Sequence, residues 1–380
     1  MFSLYVHIPY CRQKCPYCDF NSYAGTSWPE RRYTEALLGE IHHAAGLAAW
    51  SGKGIATIFF GGGTPSLFAP ASIARVLAGV RDWFPVARDA EITLEANPGT
   101  VGSDALQELR AAGVNRLSFG IQSLQETHLA TLGRIHSAEE ARAAVELARV
   151  TGFDSINTDL MFGIPGQSVE DWHADLAAII RLAPEHISAY SLTYEEGAHF
   201  HAWRAEGLVQ PIPEDDEASM FTETPKVLRG AGYQHYEISN HALPGKACRH
   251  NLSYWRRQPY LGVGAGAHSF ASTPPYGHRC ANARPPEQYM ELISHQGHAV
   301  VTDERPSREQ AIGEFFFLGL RLAEGIACDC FTALFGAPPE KARPALGSLA
   351  EAGLLERVEA RIRLTAEGLL QADSVFAALL

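Results

Sequence analysis

Three cysteines, Cys11, Cys15 and Cys18, lie close together near the start of the chain. Their spacing is C-x3-C-x2-C, and they directly follow Ser3–Ile8, a run that we predict to be a β-strand. Three thiolates on one short loop can ligate three irons of a cubane cluster and leave the fourth iron open. An open coordination position is what a catalytic metal site requires. The spacing favours such a cluster over two alternatives, a zinc site without a nearby fourth ligand and reactive surface thiols.

A glycine run, Gly61-Gly62-Gly63-Thr64-Pro65, follows the next predicted strand. Glycines allow the backbone to approach a ligand closely, and exposed carbonyl oxygens can accept hydrogen bonds from an ammonium group. A glycine run alone is weak support for a ligand-binding loop. Its position one strand after the cysteine motif makes Gly62, Gly63 and Thr64 candidate ligand contacts.

The elements that must position these residues alternate between short apolar runs and helix-length segments. Such alternation predicts a parallel sheet with right-handed crossovers, and six units predict an incomplete (β/α)6-type TIM barrel over residues 1–240, with its chemistry at the C-terminal ends of the strands. The predicted strands are Ser3–Ile8, Ile55–Phe60, Glu91–Glu95, Arg116–Gly120, Ser155–Leu160 and His186–Ser191, and the predicted helices are Pro29–Ala49, Pro70–Trp83, Ser103–Ala112, Ala138–Thr151 and Val169–Leu182.

After about residue 230 the regular alternation of predicted strands and helices ends. An edge strand is expected within 232–239, and residues 241–304, which are rich in proline, are expected to be a loop-rich connecting region. Residues 305–380 are expected to form a winged-helix-like domain, with eight basic and ten acidic residues that disfavour DNA binding. Its predicted elements are helices Ser307–Leu322 and Pro339–Ala352, a β-wing of Leu354–Val358 and Arg361–Leu364, and a last helix Thr365–Leu379.

The charge balance, the N-terminal residues and the number of cysteines each argue against certain classes of protein. The chain carries 31 basic and 43 acidic residues, a formal net charge of −12, which argues against nucleic acid as the main partner. The first residues, Met1–Pro9, lack the basic and apolar regions of a signal peptide, so we expect a cytoplasmic protein with reduced thiols. Seven cysteines are an odd number and a poor disulfide framework.

The cysteine motif and the glycine run together resemble the radical S-adenosylmethionine (radical SAM) enzymes. Tyr17 matches the aromatic residue that usually precedes the third cysteine of that family. The resemblance implies a [4Fe-4S] cluster on Cys11, Cys15 and Cys18, and S-adenosyl-L-methionine (SAM) against the glycine run.

Polar residues at the ends of later strands match the same family in order. The resemblance implies that Glu95 accepts the ribose hydroxyls of SAM and that Gln122 and Arg134 hold its hydroxyl and carboxylate groups, since arginine offers a bidentate fork. Asp159, at the end of the fifth strand, and Tyr5, in the first, complete the implied SAM contacts. Each residue alone is more often a structural polar group, but their shared place at strand ends favours ligand contact.

The resemblance narrows to the family of oxygen-independent coproporphyrinogen III oxidases. It is carried by Tyr5–Cys11, Ile121–Ser123, Asp159–Gly166 and Phe317–Arg321. In the oxidase branch of this family a fourth cysteine follows the third by two residues, where this chain has Phe20. That branch also has an N-terminal extension used at the substrate, whereas this chain begins almost at its first predicted strand.

The second branch of the family, the HemW-type haem chaperones, resembles this chain at Cys18–Ser22 and at an H-N-x-x-Y-W box, His250–Trp255. Imidazole is an axial ligand of haem iron, and Tyr254 and Trp255 offer flat apolar surface, so the resemblance implies haem binding by His250, Tyr254 and Trp255. Cys248 is a further candidate ligand. The remaining cysteines, Cys280, Cys328 and Cys330, are expected to be core or surface residues.

Two hypotheses follow from the resemblance. The favoured one is a haem-binding chaperone that delivers haem to a haem-requiring client, expected to be a membrane respiratory enzyme reached by peripheral contact with the membrane. The alternative is an oxidase that converts coproporphyrinogen III into protoporphyrinogen IX by two oxidative decarboxylations.

Overall fold

The alternation of apolar runs and helix-length segments folds into one large sheet with helices between its strands in the computed structural model, which describes residues 1–380. The strands are β1 (Phe2–Ile8), β2 (Tyr10–Cys11), β3 (Tyr23–Ala24), β4 (Ile55–Gly62), β5 (Val86–Ala96), β6 (Arg116–Gln122), β7 (Ile156–Phe162), β8 (His186–Ser191), β9 (Gln234–Glu237), β10 (Asn240–Ala242), β11 (Tyr260–Val263), β12 (His268–Ala271), β13 (His278–Asn282), β14 (Val300–Glu304), β15 (Ile326–Ala327), β16 (Leu355–Val358) and β17 (Arg361–Leu364).

The helices connect these strands and form most of the C-terminal part. They are α1 (Glu30–Ala45), α2 (Pro70–Trp83), α3 (Ser103–Ala112), α4 (Glu126–Thr131), α5 (Ala138–Val150), α6 (Val169–Leu182), α7 (His199–Ala205), α8 (Glu214–Gly230), α9 (Arg249–Trp255), α10 (Pro286–Gln296), α11 (Arg308–Gly319), α12 (Cys328–Phe335), α13 (Pro339–Ala342), α14 (Ala345–Glu351), α15 (Ala366–Leu370) and α16 (Ala372–Leu379), with a short 3-10 helix at Pro65–Leu67. None of these helices combines the length and the apolar character that a membrane span requires.

Twelve strands form the main sheet, in the order β14-β13-β12-β11-β1-β4-β5-β6-β7-β8-β10-β9. Strands β1 and β4 to β8 pair in parallel, and helices α1, α2, α3, α5 and α6 lie between successive members. The predicted incomplete (β/α)6-type barrel is therefore confirmed. The parallel strands are buried along most of their length, as strands covered on both faces must be.

The segment 241–304 is more regular than the loop-rich connection that its prolines predict. Strand β11 pairs in parallel with β1, from Ser3 opposite Tyr260 to Val6 opposite Val263, and β12, β13 and β14 extend the sheet beyond it. The prolines lie between the elements, before β11, between β12 and β13, and at the start of α10. They therefore mark turns rather than absence of strands.

The C-terminal part has the predicted wing, β16 and β17, joined by β15 into a three-stranded sheet, and the winged-helix-like expectation is confirmed. Its own core includes Phe316, Phe331 and Phe376. The predicted helix Pro339–Ala352 is instead two helices, because Pro344 lacks an N–H group and restricts the residue before it. The predicted helix Thr365–Leu379 is likewise broken, at Gln371. The domain boundary at 304/305 stays a prediction.

Candidate functional site

The loop that carries the three cysteines leaves the C-terminal end of β1. Strands β2 and β3 pair in parallel and close this loop at its base, so that Cys11, Cys15 and Cys18 lie on one compact segment. All three are free thiols of intermediate burial, and all three line one cavity of about 340 Å³. The structure thus brings the predicted cluster ligands together at the mouth of the barrel.

Two donors from outside the loop lie against these thiols. The Thr64 hydroxyl donates to Cys11 Sγ at 3.5 Å, and Arg134 Nη1 donates to Cys15 Sγ at 3.5 Å. Burial raises the pKa of the Cys11 and Cys18 thiols. Hydrogen bonds to sulfur and a nearby guanidinium stabilise thiolate charge, and this donor set fits a cluster held by three thiolates.

The glycine run at the end of β4 packs directly against the cysteine loop. Gly62 has a φ of +122°, and a Cβ there would lie 2.7 Å from His7 Cε1 and 2.9 Å from the Ile8 carbonyl oxygen. A Cβ on Gly63 would lie 2.7 Å from the Tyr10 carbonyl oxygen and 2.9 Å from Cys11 Sγ. Part of the need for glycine therefore comes from the close approach of β1 and the cysteine loop, in addition to the ligand contact that the sequence predicts.

Most of the predicted SAM contacts line the same cavity as the thiols. Glu95 is the penultimate residue of β5, Gln122 ends β6, and Asp159 lies in the middle of β7. The wall is completed by Gly62, Gly63, Thr64 and Arg134. Tyr5 is the exception, because it lines two neighbouring cavities instead. Gln122 has a φ of +70° and accepts a hydrogen bond from the Tyr190 hydroxyl at 2.7 Å, which fixes its side chain.

Arg134 connects the cysteine loop with β6 and with the segment that follows β5. Its Nη2 donates to the Gly120 carbonyl oxygen at 2.6 Å and to Asn97 Oδ1 at 2.5 Å, while Nη1 reaches Cys15. Asn97 in turn donates to the Thr64 hydroxyl at 3.0 Å. The guanidinium is therefore placed by the residue that follows β5 and by a carbonyl of β6, and it faces the cysteine loop.

The opposite wall of the cavity is acidic. Burial, together with the charge of Asp159, raises the pKa of Glu95 to about 8, although the Gly62 N–H donates to its carboxylate at 3.2 Å. Burial also raises the pKa of Asp159. Two partly buried carboxyl groups facing one cavity favour a ligand that brings positive charge or hydroxyl donors.

Sequence reasoning missed several polar residues of this cavity. Asn97 stands two residues after Glu95, directly after β5, and its position after a strand end is the signal that could have found it. The others follow the same rule less clearly, because Ser118 lies inside β6, Ser188 and Tyr190 belong to the last barrel strand, and Asn240 lies beyond it. These additional lining residues are Asn97, Ser118, Ser188, Tyr190 and Asn240.

The H-N-x-x-Y-W box forms helix α9, and its histidine points inward. His250 is 1% exposed; its Nδ1 lies 2.8 Å from the Thr57 hydroxyl and its Nε2 lies 2.9 Å from the Tyr254 hydroxyl. Burial and the charge of Arg116 lower its pKa to about 3, so the imidazole is neutral. Both ring nitrogens are engaged, and an iron atom could reach Nε2 only after the bond to Tyr254 is broken.

Cys248, the other candidate haem ligand, is completely buried at the start of α9. Its Sγ lies 3.5 Å from a Glu91 carboxylate oxygen, which also accepts from the His250 N–H at 3.0 Å. Burial raises the pKa of this thiol to about 12. Among the remaining cysteines, Cys328 is buried, Cys330 is exposed, and Cys280 lies near His278 and Asp303 on β13 and β14.

A second cavity, of about 610 Å³, adjoins the first and shares Gly62 and Glu95 with it. Tyr254 and Trp255 line this second cavity, whereas His250 lies in a smaller inner one of about 210 Å³. Phe20, the residue two positions after Cys18, lines both large cavities. The aromatic part of the box is therefore placed next to the cluster loop.

Family models match both parts of the chain. The radical SAM superfamily model matches residues 5–179, and the HemN C-terminal domain model matches residues 307–370. The chain is 40% identical to heme chaperone HemW of Escherichia coli (strain K12), over 98% of this chain and 96% of that protein. It is 35% identical to heme chaperone HemW of Bacillus subtilis (strain 168), over 100% of this chain and 99% of that protein. The solved structure of the coproporphyrinogen III oxidase HemN from Escherichia coli superposes with a TM-score of 0.85 at 26% identity, covering 100% of this chain and 89% of that one.

Proposed function

The chain belongs to the family of HemW haem chaperones within the radical SAM superfamily, and from this premise we propose that it binds haem and delivers it to a haem-requiring client protein. The observation that carries the proposal is the identity of 40% to a haem chaperone along 98% of the chain. The two adjoining cavities support it further, because they provide space for a second ligand beside the cluster and SAM.

The cavity at the barrel mouth fits the cofactors of the family. Cys11, Cys15 and Cys18 would ligate three irons of a [4Fe-4S] cluster, and SAM would lie against Gly62, Gly63 and Thr64. When bound, the cluster supplies one-electron redox chemistry and an open iron position. Four side chains would orient SAM and shield it from water: Glu95, Gln122, Arg134 and Asp159.

The oxidase alternative shares this fold and this cavity, so neither distinguishes the two functions. Phe20 does bear on the choice. Its side chain is 65% exposed and lines the second cavity where the oxidase branch is expected to carry a cysteine. A phenyl ring supplies neither a thiol nor a proton, whereas it can pack against a flat macrocycle. Phe20 therefore favours binding of a porphyrin over chemistry at its propionates.

We expect a respiratory enzyme at the membrane as client, reached by peripheral contact from the cytoplasm. The net charge of −12 argues against nucleic acid as a partner.

Transfer of haem to an acceptor tests the proposal. Cluster-loaded protein carrying haem is mixed with a haem-free respiratory cytochrome, and the absorbance of the assembled cytochrome is followed over time. A chaperone delivers its haem while an equal amount of serum albumin carrying haem does not. Equal transfer from both carriers would contradict specific delivery.

A further inference from the structure

The histidines around the second cavity differ in what their ring nitrogens already bind. His7 contacts the Asn21 carbonyl oxygen through Nε2 at 2.9 Å and the Tyr5 hydroxyl through Nδ1 at 3.0 Å. His250 is engaged at both nitrogens by Thr57 and Tyr254. His268, the first residue of β12, is exposed, lines the second cavity, and makes no side-chain hydrogen bond. It is the imidazole of this region that is free to bind a metal.

We propose that haem docks in the second cavity with the His268 imidazole as an axial ligand of its iron and the Arg284 guanidinium beside a propionate. This inference rests on the proposed haem-binding function and assigns its ligand. The H-N-x-x-Y-W box then contributes a wall through Tyr254 and Trp255, while its histidine holds the helix in place.

The cavity has the size and walls that a porphyrin requires. Its volume of about 610 Å³ lies within the range of about 300–1,000 Å³ typical of small-molecule sites. Phe20, Trp255 and Leu318 supply apolar surface. The guanidinium carbon of Arg321 lies 4.6 Å from the centre of the Trp255 ring and so braces it. Flat aromatic walls favour a flat macrocycle.

Charge in the cavity fits a dicarboxylate ligand. Arg284 is exposed and has no salt bridge, whereas nearby Arg257 is paired with Glu314 at 2.9 Å and Arg256 with Glu324 at 3.2 Å. The cavity contains two acidic side chains, Asp19 and Glu95, and the pKa of Glu95 is raised to about 8 by burial and Asp159. An unpaired guanidinium at the rim offers a propionate a charge-assisted, bidentate hydrogen bond.

The backbone before His268 is rigidly held. The Gly264 N–H donates to Glu40 at 2.8 Å, and the Ala265 N–H donates to the Tyr33 hydroxyl at 2.8 Å. Asn21, on the cysteine loop, donates to the Ala265 carbonyl oxygen at 3.0 Å. The imidazole is therefore presented from a fixed loop that is tied directly to the cluster loop, as a metal ligand on a preorganised support should be.

The protonation state of His268 suits a ligand. Partial burial of the ring in the cavity wall, with the charge of Arg284, lowers its pKa and so favours the neutral ring. Neutral imidazole is the form that binds haem iron.

The test compares three histidine variants of the cluster-loaded protein by titration with ferric haem. His268→Ala is expected to lose the wild-type Soret position and the wild-type electron paramagnetic resonance signature of the ferric haem. Its haem affinity should fall by about tenfold or more, since even outer-shell changes at metal sites cost that much. His295→Ala, at an exposed position of α10, is the matched control and should behave as wild type. His250→Ala should keep the wild-type ligand signature, because its ring nitrogens bind Thr57 and Tyr254.

Added imidazole separates ligation from damage to the fold. His268→Gly with millimolar imidazole should regain the wild-type Soret position. Saturable haem binding by wild type, with an unchanged signature in His268→Ala or its loss in His250→Ala alone, would overturn the assignment of the ligand. Failure of wild type to bind haem would instead overturn the proposed function on which it rests.

Discussion

Glu95 and Asp159 face the same cavity from strands β5 and β7, and burial together with the charge of Asp159 raises the pKa of Glu95 to about 8. The carboxyl group of Glu95 is therefore largely protonated at pH 7 in the ligand-free protein. A hydroxyl-bearing, positively charged ligand would favour its ionised form. The pair gives the site a pH dependence that can be measured.

Replacement of Glu95 by glutamine should stabilise the ligand-free protein at high pH. In the unfolded chain Glu95 loses its proton near the ordinary value of 4.5, whereas in the folded protein it does so near 8. Its contribution to the free energy of unfolding is therefore fully present below pH 4.5, falls as the pH rises to 8, and is constant above. At about 1.4 kcal/mol per pKa unit, Glu95→Gln should raise the free energy of unfolding by a few kcal/mol at pH 8.5 and little at pH 4.5.

Urea denaturation at the two pH values measures this difference. Glu206→Gln, at an exposed position, is the control and should show no comparable change. Equal stabilisation by Glu95→Gln at both pH values would show that packing, not the buried charge, is responsible.

The cluster ligands can be tested by iron content. Cys15→Ser should lose the four irons expected per chain after anaerobic reconstitution, because serine does not replace the thiolate of a three-cysteine site. Cys330→Ser changes an exposed cysteine far from the motif in sequence and should retain full iron and sulfide. Full iron in Cys15→Ser would refute the assignment of this loop as the cluster site.

Gly62 should tolerate no side chain. Gly62→Ala would place a Cβ 2.7 Å from His7 Cε1 at a φ of +122°. The strain should lower the free energy of unfolding by about 1–3 kcal/mol and weaken SAM binding by cluster-loaded protein. Gly347→Ala, where a Cβ would meet nothing within 4 Å, is the control for both measurements. Wild-type stability and SAM affinity in Gly62→Ala would contradict the close packing of β1 against the end of β4.

Phe20 should matter for haem and not for folding. Its side chain is 65% exposed, so Phe20→Ala should change the free energy of unfolding by less than about 0.5 kcal/mol. Loss of an aromatic wall should weaken haem binding by up to about tenfold, which corresponds to about 1.4 kcal/mol. Leu208→Ala, at 69% exposure outside both cavities, is the matched control. Identical haem affinities in the two variants would remove Phe20 from the haem site.

The barrel could be predicted because each of its strands and helices is marked by a pattern within its own short segment of sequence. Apolar runs and caps predicted α2, α3, α6 and β8 at the bounds that the structure has, and the cysteine spacing located the cluster loop. The pairing of β11 with β1 could not be predicted, since it joins residues about 257 positions apart, as Ser3 and Tyr260 show. The prolines in the turns of segment 241–304 led to the prediction of loops where the structure has strands.

The sequence does not show which histidine at the proposed haem site has a free ring nitrogen. His250 and Tyr254 are four residues apart, and on a helix such side chains are neighbours. Recognition of the box as a helix would have predicted their contact at 2.9 Å and the engagement of the imidazole. His268 carried a weaker signal, the glycines at 262, 264 and 266 before it, because only the folded loop shows that its ring is free.

A side-by-side assay of haem binding and coproporphyrinogen turnover tests the haem-carrier function most directly. Cluster-loaded protein with SAM and a strong reductant is given coproporphyrinogen III, and porphyrin products are measured by chromatography. A second portion is titrated with haem. We predict saturable haem binding with a Soret shift and no protoporphyrinogen above the level of the Cys15→Ser variant. Multiple-turnover decarboxylation, with no haem binding above that of an unrelated protein, would contradict a haem chaperone and establish the oxidase.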